Sequence, residues 1–357
     1  MDQPLAAQAT GLPPTPAGPR VLRPVFTGNA REYFRIWIVN LFFSLVTLGI
    51  YSAWAKVRKK KYFYGSTTLD GDSFDYLGSP KAILKGRIVA AAVVIIYGFA
   101  SQLYPGSQAV FLVIGFFILP WLISRALAFN ARNSAWRGLR FDFTANAKTT
   151  AKFYLPRILL LLVSLGLFYP RFAARQREFT LNHHAYGTSG LHCELSVRQF
   201  YGIYILAGLM VGGIGAVLGV LMGMGAGRLF ELPEAVAGWA FILVALPGYA
   251  AYGMAYAYIQ SRAGNAMWNS ARVNGMRFES TLGAWRLGWL YVGNVVAAAL
   301  SLGLLIPWGV TRVLRYRLEH FAVIIDEEVV HEASPALARV DAAGQELGDF
   351  FNVDFGL

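Results

Sequence analysis

The stretch RPVFTGNAREYFRIWIVNLFFSLVTLGIYSAWAKVRKKKYF, residues 23–63, decides how the rest of the chain is read. An apolar segment ends in Thr47-Leu48-Gly49, the aromatic pair Tyr51 and Trp54 follows, and a Lys/Arg block closes the element. The same layout returns twice. With Gly49 set against Gly166 and Gly303, Arg23 falls opposite Arg140 and Arg277, and Thr27 opposite Thr144 and Thr281. Leu48 meets Leu165 and Leu302, Arg58 meets Arg175 and Arg312, and Tyr62 meets Phe179 and Tyr316, all without a gap. So regular an internal repeat marks an architecture assembled from copies of one unit. The copies are residues 23–63, 140–180 and 277–317.

Composition places the chain. Of 357 residues 56% are hydrophobic and 15% charged, where soluble domains carry about 25% charged residues, and the mean hydropathy is +0.45. Residues 88–124 hold no Lys, Arg, Asp or Glu, and 199–261 hold only Arg228, Glu231 and Glu234. Runs of this length predict membrane spans, arranged as two pairs over 88–124 and 200–259. The net charge of +12 comes from basic residues flanking apolar segments, as the positive-inside rule requires, and so does not argue for nucleic acid as a partner. Cys193 stands alone and excludes an intrachain disulfide.

These observations predict an all-α polytopic membrane protein. Two transmembrane helical hairpins interleave with three copies of the repeat element. Asp70-Gly71, between aromatic and β-branched runs, predicts one small β-hairpin after the first copy. The expected organisation is a disordered tail (1–19) rich in Pro, Ala and Gly, a membrane domain (20–328) and an acidic C-terminal tail (329–357). Whether each element spans or re-enters is argued from charge. Spanning elements put Arg171, Arg175, Arg177 and Arg198 on the face opposite Arg58 and Arg312, whereas re-entrant ones keep every basic segment on one side. Between Arg157 and Arg171 lie only 13 residues, a re-entrant length, while the other copies are long enough to cross. Both arrangements make the C-terminal tail cytoplasmic.

Candidate binding residues follow from the repeat. Nine residues before each glycine stand Asn40, Arg157 and Asn294, polar groups at one depth of an apolar run, which suit a solute path or interhelical hydrogen bonding. Arg58, Arg175 and Arg312, with Arg23, Arg140 and Arg277, suit anionic lipid headgroups or an anionic solute; snorkelling anchors are the plainer reading. Gly215, Gly219, Gly223 and Gly227 form a small-residue stripe suited to close helix packing. His183, His184, His192 and Cys193 cluster in one loop, but their spacing matches no zinc pattern. No metal, cofactor or enzymatic activity is expected, since phosphate-loop, nucleophile-elbow and zinc-helix motifs are missing from the sequence.

Leu48-Gly49-Ile50-Tyr51, Trp54-Ala55-Lys56-Val57-Arg58 and Leu69-Asp70-Gly71 with Phe74 resemble the YjgN family of bacterial inner-membrane proteins, from about Arg23 to Glu328. Where that family carries Pro before the Trp, this chain has Ala53; Pro170 and Pro307 hold the place in the later copies. The resemblance implies the inner membrane of a Gram-negative bacterium and supplies no substrate. Within that frame the expected function is a permease-like protein for a small or lipid-like anionic solute. A non-catalytic lipid-binding scaffold is the alternative, and a membrane-embedded enzyme using His183, His184 and His192 a weaker one.

Overall fold

The computed structural model describes residues 19–326 except 105 and 231–233, with backbone alone for the rest of 225–245. The two expected tails, 1–19 and 329–357, lie outside the described residues but for Pro19.

After a short strand β1 (Arg20–Leu22), the chain runs through five units of strand, two helices and strand. The first is β2 (Val25–Phe26), α1 (Ala30–Val46), α2 (Ser52–Gly65) and β3 (Thr67–Leu69). The second is β4 (Asp72–Tyr76), α3 (Pro80–Leu103), α4 (Ser107–Arg132) and β5 (Ser134–Trp136). The third is β6 (Leu139–Phe143), α5 (Ala147–Val163), α6 (Tyr169–Asn182) and β7 (His184–Tyr186). The fourth is β8 (Ser189–His192), α7 (Val197–Phe230), α8 (Glu234–Ser270) and β9 (Arg272–Val273). The fifth is β10 (Met276–Ser280), α9 (Ala284–Leu300), α10 (Ile306–Glu319) and β11 (Phe321–Ile325).

The all-α expectation is therefore wrong. Among the described residues, eleven strands pair antiparallel in one sheet, ordered β1-β11-β10-β9-β8-β7-β6-β5-β4-β3-β2. Its two edge strands, β1 and β2, are consecutive in the chain and separated by Arg23-Pro24 alone, so the backbone joins the sheet's edges. Alternation along each strand turns one face inward. Leu22, Leu69, Trp136, Tyr186 and Val323 meet there in one buried cluster with Phe74, Phe141, Phe278 and Phe321, which requires the sheet to curl. Four hairpins, not one, build it. The Asp70-Gly71 hairpin forms as expected, with φ of 55° and 84°, and Arg137-Gly138 repeats it with 51° and 76°, the all-positive geometry of a type I′ turn.

The three repeat elements are helix–turn–helix hairpins of equal size, 17 residues then 14. At each tip a Leu-Gly pair reverses the chain: Leu48, Leu165 and Leu302 have φ of 49°, 49° and 50°, and Gly49, Gly166 and Gly303 have 90°, 85° and 89°. Each glycine N–H donates five residues back, to Ser44, Leu161 and Ala298 carbonyls at 2.7, 3.0 and 2.7 Å, the closure of a Schellman-type cap, which strongly favours glycine. The leucines beside them are 95%, 92% and 95% exposed. Tyr62 and Tyr316 accept the N–H groups of Asn29 and Gly283 at 2.9 and 3.0 Å, tying each hairpin's end to its start, and Phe179 instead stacks on Phe153 at 4.2 Å. Pro170 and Pro307 fall in the first turn of α6 and α10, where proline is tolerated. Ala53, at the same place in α2, is fully buried, and α2 runs the same 14 residues as α6 and α10 without the proline.

Among the described residues three helices are long and apolar enough to cross a membrane: Pro80–Leu103, Ser107–Arg132 and Val197–Met224. The expected pair of complete transmembrane hairpins is thus reduced to one pair and one single helix; the fourth expected span falls in α8, whose side chains are described only from 246 onward. Every helix touches the next, from α1 to α10, and α10 touches α1. Among the described residues, ten helices therefore form a closed ring of neighbours.

Candidate functional site

A cavity of about 1050 Å³ runs from inside the helix ring to the inner face of the sheet. Its helical wall comes mainly from the first and last units. Trp37, Asn40, Leu41 and Ser44 of α1 and Lys56, Lys59 and Lys60 of α2 face Asn294, Val295 and Ala298 of α9 and Val310, Val313 and Arg317 of α10. Arg87 of α3 and Asn130 of α4 complete the polar belt, and Trp136, Tyr186, Phe278 and Phe321 form the floor.

Helical spacing explains the belt. Lys56, Lys59, Lys60 and Phe63 recur at three- and four-residue steps and so share one face of α2. Lys60 Nζ donates to Asn130 Oδ1 at 3.2 Å and lies 5.2 Å from the Tyr76 ring centre. Arg87 donates to Ser52 Oγ, and Arg317 Nη2 donates to Tyr291 Oη at 2.8 Å. Five cationic side chains line the cavity, and no Asp or Glu stands among its described lining residues.

Of the residues singled out by sequence, Asn40 and Asn294 come together on this cavity. Asn294 Nδ2 donates to the Gly309 carbonyl at 3.1 Å, and the Oδ1 atoms of both asparagines are buried without a hydrogen-bond donor. An unpaired buried acceptor costs about 1–3 kcal/mol, a cost that both asparagines carry within the apolar wall. Arg157 lies elsewhere: it caps the Phe153 carbonyl at 2.7 Å and sits over that residue's ring.

The repeated arginines are not gathered. Copies related by the repeat occupy equivalent positions around a ring, so outward-facing side chains point away from one another. Arg58 and Arg312 are exposed, the latter over the Trp308 ring, and Arg175 pairs with Glu178 at 2.6 Å. Arg23 and Arg140 are exposed on the sheet, and Arg277 pairs with Asp326 at 3.2 Å. A Cβ built on Gly215, Gly219 or Gly223 meets nothing within 4 Å, so that stripe makes no close helix contact among the described residues; the side of Gly227 lies outside them.

The histidine loop serves the fold. His183 and His184 donate from Nδ1 to the Phe179 and Thr180 carbonyls, both at 2.7 Å, at the end of α6. Cys193 is buried, and burial pushes its thiol up to about 11. No group of three metal-ligating side chains occurs among the described residues. His184 lines the cavity, and desolvation holds its imidazole below the ordinary value; the Thr180 carbonyl and Asp142 oppose that shift, and His183 adds to it. The folded protein therefore binds this proton less readily than the unfolded chain. Its contribution to stability is lost as pH falls below the unfolded value of about 6.5. Thermal unfolding at pH 7.5 and 5.5 should show a smaller acid-induced loss in His184→Gln than in the parent; equal losses would count against this role.

Sequence reading passed over Lys56, Lys59, Lys60, Arg87 and Arg317 because each lies in a basic flank with a general explanation. The signal that could have found the lysines was their common helical face.

A family profile described as "Bacterial protein of unknown function (DUF898)" matches residues 21–350. Among curated proteins, the chain is similar to "Inner membrane protein YjgN" of Salmonella typhimurium, with 30% identity over 145 residues, 40% of this chain and 36% of the relative. Proteins of the same name from Escherichia coli O157:H7 and strain K12 are 27% and 26% identical over 150 residues, with the same coverage. The matched stretch spans little more than a third of these relatives' length. No solved structure matches.

Proposed function

The chain belongs to the YjgN family of bacterial inner-membrane proteins, the family of unknown function whose profile covers its residues 21–350, and from that membership we propose that it acts as a permease-like protein for a small or lipid-like anion. The observation that supports this reading is the cavity: cationic at its belt and free of carboxylates among the described lining residues. Cations desolvated against an apolar wall attract an anion more strongly than they would in water. The test is binding of glycerol 3-phosphate to detergent-purified protein, followed by its movement into proteoliposomes. Binding and movement together support the permease reading. Absence of binding removes it.

The exposed apolar tips of three hairpins favour a second reading, a lipid-binding scaffold that does not transport. Binding without movement would select it.

In either reading the sheet side faces the cytoplasm, because the basic flanks lie at the sheet end of the helices. Single cysteines test this directly, since buried Cys193 should stay silent toward a membrane-impermeant maleimide. In intact spheroplasts Gln108→Cys, at the far end of the α3–α4 pair, should label, and Ser73→Cys, exposed on β4, should not. The opposite pattern would invert the orientation.

A further inference from the structure

We infer that the cavity takes an anionic glycerophospholipid directly from the bilayer, over the low seam where the first and last units meet. The inference rests on the proposed anion-binding cavity and adds the ligand class and its route.

The route follows from parity. Short and long helical pairs alternate around the ring as short, long, short, long, short. Five is odd, so closure sets the fifth unit, a short one, beside the first, also short. Their contact is direct: α10 packs on α1, and Arg315 Nη2 donates to the Gly28 carbonyl at 3.2 Å. The remaining short hairpin, α5–α6, has a long pair on each side.

Because all helices rise from the strand ring, length is height. The 17 residues of α1 and α9 rise about 25 Å, and the 24 and 26 residues of α3 and α4 about 36–39 Å. The uncharged part of α1, Ile36 to Val46, covers about half of the roughly 30 Å hydrocarbon core. Over the seam, then, the wall of the ring stops near mid-membrane, and its rim is apolar, with Leu48 and Leu302 each 95% exposed. The polar side chains at the rim, Thr47 and Ser301, donate to the Phe43 and Ala298 carbonyls of their own helices, so hydrocarbon chains can lie across it.

What lies inside the rim sets the ligand. Leu41 and Val295 line the cavity and remain 38% and 69% exposed, so the upper wall is apolar surface left uncovered. A headgroup-sized anion would occupy the belt below and leave that surface bare. An amphiphile satisfies both, and the sign of the belt selects a net negative one. Arg87 immediately precedes the uncharged run of α3, at the depth where a phosphodiester sits.

The experiment is native mass spectrometry of the full-length protein released from nanodiscs of phosphatidylglycerol and phosphatidylcholine in equal amounts. Retention of phosphatidylglycerol in clear excess is the expected result. Leu41→Trp/Val295→Trp fills the upper chamber and should lower the retained lipid about tenfold or more. Both side chains are exposed, and Val295→Trp alone serves if the double variant misfolds. Equal retention of the two lipids, or unchanged retention in the tryptophan variants, overturns the inference. If glycerol 3-phosphate binds and phosphatidylglycerol does not, the lipid is wrong and the anion site stands. If neither binds, the site falls with it.

Discussion

Arg132→Met should destabilise the folded protein by about 3–5 kcal/mol, the penalty for removing one partner of a buried ion pair. Arg132 ends α4, a helix long and apolar enough to cross a membrane, and its Nε donates to Asp142 Oδ1 on β6 at 2.5 Å, with the carboxylate side chain only 7% exposed. The change strands a charge in a closely packed joint between helix and sheet. Arg132→Met/Asp142→Leu removes both charges and should recover most of the loss, because a well-packed apolar pair avoids the desolvation that the ion pair suffers. Denaturation of the two variants in detergent separates the outcomes. A single variant within about 1 kcal/mol of the parent would show that the joint does not depend on this pair.

The second large effect is on binding. Lys60→Glu/Arg317→Glu should weaken glycerol 3-phosphate binding by a hundredfold or more, since each hydrogen bond to a charged group contributes roughly 1.5–3 kcal/mol and every 1.4 kcal/mol is tenfold. Arg58→Glu/Arg140→Glu makes the matched control. It changes net charge by the same amount at exposed positions off the cavity, and should leave affinity nearly unchanged in moderate salt, where the Debye length is about 10 Å. Titration calorimetry on both pairs decides between a site in the cavity and a general surface potential. Equal losses would favour the surface.

The tips of the hairpins were legible in the sequence. Leu48-Gly49 and its two copies stood out because a left-handed pair admits few residues, and the structure puts positive φ at all six positions. Asn40 and Asn294 were legible for a related reason: a polar amide in an apolar run is costly enough to need an explanation. The strands were not. β2, β3, β5 and β9 are two or three residues long, too short for a period of two to show. They also lie in the basic segments between apolar runs, where a loop is the natural reading. Missing them hid the fact that the long pairs α3–α4 and α7–α8 sit in the same strand-flanked unit as the short ones, so the repeat is fivefold rather than threefold. Recurrence of the arginines in the sequence does not imply convergence in space. On a ring, equivalent positions face outward in different directions.

The join at Arg23-Pro24 carries a consequence for how the molecule is made. Arg20 pairs with Ile325, and Val25, directly after the join, pairs with Thr68. β2 can find its neighbour β3 as soon as the first helical hairpin has emerged, but β11, the partner of β1, is among the last described segments to leave the ribosome. The helices must therefore enter the bilayer while the sheet is still open, with β8 and β9 waiting for the long pair between them. Pairing of such large sequence separation is slow, and the unpaired edges it leaves are open to wrong partners. The pairing of β1 with β11 is thus the last strand contact that the order of the described chain allows, and it closes the circle that the helices had already begun.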